Sequence, residues 1–362
     1  FLRPAFALAA VAMGVLTWHQ TTVWRDNESL YTHALGVTNG NHIAHTNLGV
    51  TLADAGRDAE AIPHFREALR LWPRNYKNVS NLARSLGAVG EYEAALRYYR
   101  TILTNVHPLP LLYLRVGDVF TGLGEPDSAM MYYRMALQLD STMIEAHLGM
   151  ADIYSARSEF GQARESVDRV FHIQPGSSKG HGMLGIVAGR QNLMQEAEAE
   201  FGKAIRADSL NDQGYIDLGI LYEKTGRVAE SRIQYEKAVR VNPRSVNAHL
   251  YLGMGLARAG NFAAAEREWL LCVEILPPAV EARMNLARLY TMQGKGDRAA
   301  AHYNAVLSAA PSRADAHFFL GNILAARGDS AGSAKYYREA LRIDPGFSEA
   351  AAALRRLDSS AR

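Results

Sequence analysis

The sequence predicts an all-α solenoid built from stacked helix hairpins, on three observations. Residue types recur every 34 residues from His42 onward, without an insertion or a deletion. Each 34-residue segment contains two apolar patterns with the period of an α-helix. A glycine separates the two patterns in most segments, and a proline follows the second pattern in most of them. Because one such hairpin cannot bury its apolar faces alone, neighbouring hairpins are expected to stack.

Nine repeats fill the central part of the chain, with positions numbered 1 to 34 in each. The repeats are residues 42–75, 76–109, 110–143, 144–177, 178–211, 212–245, 246–279, 280–313 and 314–347. Position 8 is Gly or Ala, position 20 is Ala or Ser, and position 24 is aromatic in all repeats but one. The small residues let the two helices of a hairpin approach closely, and the ring at position 24 is expected to fill the space between them.

Residues that interrupt helices mark the ends of the predicted helices. Position 15 is a glycine in seven of the nine repeats, which suits the left-handed conformation that ends a helix: Gly56, Gly90, Gly124, Gly226, Gly260, Gly294 and Gly328. A proline is expected to stop the second helix in six repeats: Pro73, Pro175, Pro243, Pro277, Pro311 and Pro345. In the second repeat this stop is expected to move to Pro108 and Pro110. Pro63 is expected to kink its helix, and Asp58 is predicted to be an N-cap.

Three segments lie outside the repeats. Residues 1–23 contain an apolar run with no charged residue from Pro4 to Trp18. A helix of that length spans about 22 Å, less than the roughly 30 Å of a membrane's hydrocarbon core. The run is therefore interpreted as the end of a transmembrane span, with a signal-peptide core or a buried apolar helix as alternatives. Residues 24–41 predict a lone helix before the array, and residues 348–362 predict a capping helix and tail.

The 34-residue pattern resembles the tetratricopeptide repeat family over residues 42–347. The resemblance implies a right-handed superhelix of helix hairpins with an inner groove. It also implies that the first helix of each repeat lines this groove, which binds peptide segments or partner proteins. A protein or a peptide is therefore the expected partner.

By this resemblance, position 6 of the first helices faces the groove. The candidate binding residues at position 6 are Asn47, Asn81, Arg115, Asp217, Tyr251 and Asn285. An asparagine amide both donates hydrogen bonds to a peptide backbone and accepts them from it. We therefore expect Asn47, Asn81 and Arg115 to hold an extended polypeptide. Solvated polar side chains on an inner face are the alternative.

Position 13 carries Arg190, Lys224 and Arg258 in three consecutive repeats. One interpretation is a basic ridge that attracts an acidic partner. The other is that each cation lies near the C-terminus of its helix and complements the helix dipole, and this second interpretation is favoured.

Position 4 is a histidine in five repeats and a tyrosine in two others: His45, His147, His181, His249 and His317, with Tyr113 and Tyr215. Because tyrosine replaces histidine in the same register, a packing role explains this position best. Metal binding, catalysis and pH-sensitive packing are the alternatives, although a metal site needs several ligands converging at about 2 Å. The one cysteine, Cys272, cannot complete a cysteine-rich zinc site. No metal and no cofactor is expected.

Composition and missing motifs argue against other classes of function. The chain has 39 basic and 37 acidic residues, and this near balance argues against a nucleic-acid-binding surface. The sequence contains no Walker-type phosphate-binding loop and no Asp-x-Asp triplet of the glycosyltransferase kind. Almost every residue belongs to a repeat, which leaves no room for a catalytic domain. We therefore expect no enzymatic activity in the chain as given.

The stretch 17–35, between the apolar run and the repeats, resembles a junction in a second family. The family is that of the transmembrane and tetratricopeptide repeat O-mannosyltransferases and their bacterial relatives, and the matching residues are Trp24, Arg25, Asp26 and Leu30. The resemblance implies the non-catalytic C-terminal portion of a polytopic membrane glycosyltransferase-like protein. Its repeats are then expected outside the cytoplasm, in the periplasm or a lumen. A stand-alone scaffold, membrane-anchored or secreted, is the alternative.

Overall fold

A computed structural model describes residues 24–105 and 109–360, and these residues form twenty α-helices and no strand. The helices are α1 (Asn27–Val37), α2 (His42–Asp54), α3 (Asp58–Leu71), α4 (Tyr76–Ala88), α5 (Tyr92–Asn105), α6 (Pro110–Gly122), α7 (Pro126–Leu139), α8 (Ile144–Ala156), α9 (Phe160–Ile173), α10 (Ser178–Arg190), α11 (Met194–Ala207), α12 (Asp212–Lys224), α13 (Val228–Val241), α14 (Val246–Arg258), α15 (Phe262–Ile275), α16 (Val280–Met292), α17 (Gly296–Ala309), α18 (Ala314–Ala326), α19 (Ser330–Ile343) and α20 (Ser348–Ser360). The predicted all-α class is confirmed.

The helix boundaries follow the 34-residue frame. In all nine repeats the first helix begins at position 1 and the second at position 17. The helices of a hairpin pack against each other, as α2 does with α3 and α12 with α13, and successive hairpins stack through pairs such as α13 and α14. The chain forms two compact units, Phe1–Ala146 and His147–Arg362.

In six hairpins a glycine at position 8 lies against the ring at position 24. A Cβ added to Gly49 would lie 2.7 Å from the Phe65 ring. One added to Gly219 would overlap the Tyr235 ring in the same way. Both rings are fully buried. The expected packing of positions 8 and 24 is therefore confirmed in these hairpins, because only a residue without a side chain allows the ring so close to the helix.

The turn after each first helix has a left-handed residue at position 15. The seven glycines there have φ between 71° and 86°. The two remaining repeats place Ser158 and Asn192 at this position, with φ of 61° and 64°. Asparagine tolerates this conformation better than most residues with a side chain, whereas serine has no such preference. Ser158 is therefore the more strained of the two.

Replacing Ser158 by glycine is expected to raise the free energy of unfolding by about 0.5–1 kcal/mol. A Cβ in the left-handed region costs about 1–2 kcal/mol, and the larger entropy of glycine in the unfolded chain offsets part of the gain. Denaturant titration followed by far-ultraviolet circular dichroism measures the change. Asn192→Gly, at the same position, should give a smaller gain. An equal or lower stability of Ser158→Gly would show that the serine is not strained.

Two local expectations about helix ends need correction. Arg57 precedes α3, so Asp58 is not an N-cap but the first helical residue, where its carboxylate favours the helix dipole. Pro110 begins α6 and does not stop the preceding helix, since the first turn of a helix needs no N–H from that residue. Pro63 lies inside α3, which runs from Asp58 to Leu71, and the kink expected there stays a prediction. Pro108 lies outside the described residues.

The first helices are capped by a residue that sequence reasoning did not single out. The residue just before position 1 is often Asn or Ser, and its side chain accepts a hydrogen bond from a backbone N–H of the first turn. These caps are Asn41, Asn75, Ser177, Asn211 and Ser245. In five repeats a backbone N–H group at the start of the first helix is therefore hydrogen-bonded by the residue just before position 1.

The helix before the array is shorter than residues 24–41. It begins at Asn27 because Asp26 caps it, with the carboxylate accepting from the Ser29 N–H at 2.7 Å, and this hydrogen bond lowers the pKa of Asp26. The predicted transmembrane segment, residues 1–23, lies outside the described residues. Among the residues that are described, no helix has both the length and the apolar character needed to cross a membrane.

Candidate functional site

In the unit Phe1–Ala146, three of the predicted groove residues lie on first helices that pack side by side. Asn47, Asn81 and Arg115 occupy position 6 of α2, α4 and α6, and α4 contacts both of its neighbours. All three residues are partly buried. The Asn81 Nδ2 is enclosed and has no hydrogen-bond acceptor among the described residues. This donor is therefore both unpaired and shielded from solvent within the described part of the chain.

A cavity of about 310 Å³ adjoins this row between α4 and α6. Its polar lining consists of Arg84, Tyr92, Tyr99, Arg115 and Asp118. Arg115 Nη1 donates to the Asp118 carboxylate at 3.3 Å, and the Tyr133 hydroxyl donates to the other oxygen of Asp118 at 3.0 Å. Sequence reasoning had found only Arg115.

Two signals could have identified the other lining residues. Arg84 and Asp118 both lie at position 9, one helical turn after position 6, and so share its face. The ring of Tyr92 lies over α6, where a Cβ on Gly122 would overlap it. The small residue at position 122 therefore marks a place where a neighbouring ring enters. Together these residues offer guanidinium donors, a carboxylate and phenol rings at one opening.

In the unit His147–Arg362, the remaining candidates have different surroundings. The Asp217 carboxylate accepts from the Gln213 Nε2 at 2.8 Å, and burial raises the pKa of Asp217 to about 6. Tyr251 stacks on Tyr235 with ring centroids 5.7 Å apart. Asn285 is partly buried on α16. Position 6 of this unit also carries Met183 and Phe319, so its row is more apolar than that of Asn47, Asn81 and Arg115.

The three cations of position 13 each bind a group on the first helix of the preceding repeat. Arg190 lies 2.9 Å from the Asp152 carboxylate, the Lys224 Nζ donates to the Gly189 carbonyl at 3.0 Å, and Arg258 pairs with Glu223. These bonds link neighbouring first helices and compensate two of the three charges with carboxylates. A basic ridge for an acidic partner stays a prediction.

Three histidines of position 4 contact the residue at position 23 of the same hairpin. His181 and His249 each place Nδ1 at 2.7 Å from a glutamate there, Glu200 and Glu268. The pKa of His249 is raised by this glutamate. His45 Nδ1 lies 3.1 Å from His64 Nδ1, and burial lowers the pKa of His45. These contacts join the two helices of a hairpin, which agrees with a packing role.

No described side chains converge as a metal site or an activated nucleophile. No group of three or more His, Cys, Asp or Glu side chains in the described residues could hold a metal ion. The Cys272 thiol is buried at position 27, and burial raises its pKa to about 12. Residues 176–180 match the Gly-x-Ser-x-Gly pattern, but this Ser178 begins α10 after another helix and donates to the Ala204 carbonyl at 3.0 Å. A nucleophile elbow needs a strand before the serine.

A sequence profile of the tetratricopeptide repeat matches residues 28–76, 80–144, 216–277, 273–313 and 284–346. These matches cover more than half of the chain. The chain belongs to the tetratricopeptide repeat family. Residues 145–215 lie between the matches, yet α8 to α11 keep the same frame there. The tetratricopeptide repeat array is therefore continuous in helix spacing across the described residues.

Two curated proteins share a short segment with this tetratricopeptide repeat chain. Human protein O-mannosyl-transferase TMTC1 is 38% identical over 66 residues, which is 18% of this chain and 8% of that protein. The mouse protein of the same name is 38% identical over 66 residues, covering 18% of this chain and 7% of its own length. The matched segment is thus less than a tenth of either relative.

Solved structures of low sequence identity share the tetratricopeptide repeat fold. A human IFIT1 dimer with PPP-AAAA has a TM-score of 0.55 at 17% identity, covering 92% of this chain and 87% of that chain. The APC/C hetero-tetramer Cut9–Hcn1 has a TM-score of 0.53 at 16% identity, covering 94% of this chain and 60% of that chain. At these identities the likeness concerns the fold alone.

Proposed function

We propose that this chain is a non-catalytic scaffold that binds an extended polypeptide segment on its first-helix face. The observation that carries the proposal is the row of Asn47, Asn81 and Arg115, in which the Asn81 Nδ2 is enclosed without an acceptor. Burying a donor without a partner costs about 1–3 kcal/mol. If the Asn81 amide turns towards the groove, a carbonyl oxygen of a bound backbone would satisfy this donor.

The chemistry of the adjoining cavity suits the same ligand. Guanidinium groups of Arg84 and Arg115 donate to carbonyl or carboxylate oxygens, and the Asp118 carboxylate accepts from N–H groups. An extended peptide presents both kinds of group at every residue. Side chains of the segment have room in the cavity of about 310 Å³. Main-chain hydrogen bonds from the row and side-chain contacts in the cavity would then act together.

Replacing Asn47, Asn81 and Arg115 together by alanine is expected to weaken binding of a polypeptide at least about tenfold. Each lost hydrogen bond contributes about 0.5–1.5 kcal/mol, and 1.4 kcal/mol corresponds to tenfold in affinity. The probe is a peptide selected on the wild-type chain from a random display library, and calorimetry measures its dissociation constant.

The control for this variant replaces Arg97 and Arg100 by alanine. Both are exposed and lie on the second helix α5, away from the row. Their removal should leave the affinity within about twofold, because surface charges contribute little. An unchanged affinity in the triple variant would reject the proposed site.

A second part of the proposal concerns the protein to which the repeats belong. The match to the O-mannosyl-transferase TMTC1 and the junction residues Trp24, Arg25 and Asp26 support a C-terminal portion of a polytopic membrane glycosyltransferase-like protein. The apolar residues 1–23 would connect the repeats to the membrane, and the repeats would face the periplasm or a lumen. A stand-alone scaffold, anchored by one helix or secreted, is the competing proposal.

The natural coding sequence upstream of Phe1 separates these two proposals. Several further apolar spans, with a pair of acidic residues in the first loop, are expected for the glycosyltransferase-like protein. A start codon directly before Phe1 would leave only the stand-alone scaffold. Alkaline phosphatase fused after Arg362 would show on which side of the membrane the repeats lie, because this reporter is active only outside the bacterial cytoplasm.

A further inference from the structure

Asp217 is a partly buried carboxylate on the first-helix face that the structure pairs with no cation in the described residues. Its one polar partner within the described part of the chain is Gln213, whose Nε2 donates to Oδ1 at 2.8 Å. A carboxylate can accept about four hydrogen bonds, so most of its capacity is unused. Buried charges are normally paired, because removing them from water without a partner is costly.

The flanking first helices place apolar and aromatic side chains beside Asp217. α10 and α14 both contact α12, and they carry Met183 and Tyr251 at position 6. Tyr251 packs against the buried cluster of Ile216, Ala238 and Ala248. Packed helices lie about 8–10 Å apart, which makes Met183, Asp217 and Tyr251 a row across three repeats.

The cations nearest along these helices are already engaged. Arg190 at the end of α10 pairs with Asp152, and Arg258 at the end of α14 pairs with Glu223. Lys224, on the same helix as Asp217, donates to the Gly189 carbonyl. The other basic groups of α10 and α14 are Lys179, His181 and His249. His181 is bound to Glu200, and His249 is bound to Glu268. None of these groups forms an ion pair with Asp217.

We infer that the row of Met183, Asp217 and Tyr251 is a subsite for a lysine or arginine side chain of the bound polypeptide. The inference rests on the proposed function and adds the class of residue that the segment must carry. The aliphatic stem of the side chain lies along Met183 and Tyr251, and its cationic end donates to the free oxygen of Asp217. The aromatic ring of Tyr251 adds a cation–π attraction.

Binding of a basic side chain at this subsite is coupled to the release of a proton. In the free protein burial raises the pKa of Asp217 to about 6, and a bound cation lowers it again. Below about pH 6 the aspartate is protonated in the free protein, so binding of the basic side chain must release that proton. The affinity should then fall towards tenfold per pH unit below this value.

The test compares the full chain with Asp217→Asn and Asp212→Asn in selections from a random twelve-residue peptide library. Asp212 lies on the same helix at its N-terminus, so its replacement removes an equal charge outside the row. Wild type and Asp212→Asn are expected to enrich a lysine or arginine at one fixed position. Asp217→Asn should still enrich peptides but lose this preference.

One selected peptide and its lysine-to-norleucine analogue then give the affinities by calorimetry. Asp217→Asn should bind the lysine peptide at least tenfold more weakly than wild type, and the norleucine peptide within threefold, which also shows that the variant folds. Peptides without a basic position, or equal affinities for the two peptides in wild type, overturn the subsite alone. If wild type enriches no peptide, the proposed function fails and the subsite fails with it.

Discussion

Replacing Tyr235 by alanine is expected to lower the free energy of unfolding of the surrounding repeats by about 3–5 kcal/mol, the range of large aromatic truncations. The ring is fully buried and lies against Gly219, where not even a Cβ fits. It also stacks on Tyr251 of the next repeat, so its loss opens a cavity within one hairpin and removes a contact between two. Neighbouring helices cannot collapse into this space, because the hairpin spacing is set by the other repeats.

Tyr235→Phe is the matched control. The Tyr235 hydroxyl is buried with no hydrogen-bond partner in the described part of the chain. Removing it should leave stability unchanged or raise it slightly, because an unsatisfied buried group disappears. Hydrogen exchange of the amides in α12 to α14, with denaturant titration of the whole chain, measures the local and global effects. A loss below about 1 kcal/mol for the alanine variant would contradict the packing described for position 24.

Asp217→Asn is expected to stabilise the protein at neutral pH and to have no effect in acid. Burial raises the folded-state pKa of Asp217 from 3.8 to about 6. Below about pH 3 the carboxyl group is mostly protonated in both states and contributes almost nothing. As the pH rises to about 6 the unfolded chain ionises first, so the aspartate progressively destabilises the fold.

Above about pH 6 this destabilisation is complete. The difference in pKa corresponds to about 3 kcal/mol, and solvent access to the face reduces the expected gain of the asparagine variant to about 1–2 kcal/mol. The amide oxygen can still accept from Gln213, so the fold loses no hydrogen bond.

Denaturant midpoints of wild type and Asp217→Asn, measured from pH 4 to pH 8, test this expectation. Subtracting the two curves removes the contributions of His249 and the other titratable groups that both proteins share. Asp212→Asn should behave oppositely and lose a few tenths of a kcal/mol, since a negative charge favours the N-terminus of α12. A difference between wild type and Asp217→Asn that does not vary with pH would show that Asp217 is well solvated.

The repeat frame could be predicted because it depends on local chemistry. A left-handed glycine such as Gly226 and the apolar spacing around Tyr235 act within one hairpin, and each recurs often enough to define the frame. Two helix boundaries were predicted wrongly, because more than one interpretation suits the same residue. Asp58 looked like an N-cap, but α3 begins one residue earlier than that role allows. Pro110 looked like a stop, but a proline is equally suited to the first turn of a helix.

The site was predicted only in part. Arg115 and Asp217 were named because the family resemblance implies that position 6 faces the groove. Position 6 did not reveal the cavity, because Tyr92 enters it from a second helix and Asp118 is held by Tyr133 fifteen residues away. The histidine partners were missed for the same reason. His249 and Glu268 lie nineteen residues apart and meet only when the hairpin closes.

The sequence by itself determined the helix class, the 34-residue period and the residues that shape each hairpin. These features follow from the steric and hydrophobic preferences of residues that are close together in the chain. The tertiary structure alone decided which charges are compensated. Arg258 pairs with Glu223 and Lys224 donates to a carbonyl, whereas Asp217 accepts only from an amide among the residues that the structure describes. Electrostatic environment depends on how adjacent repeats stack and how much water they exclude, and no spacing along one chain segment encodes that quantity.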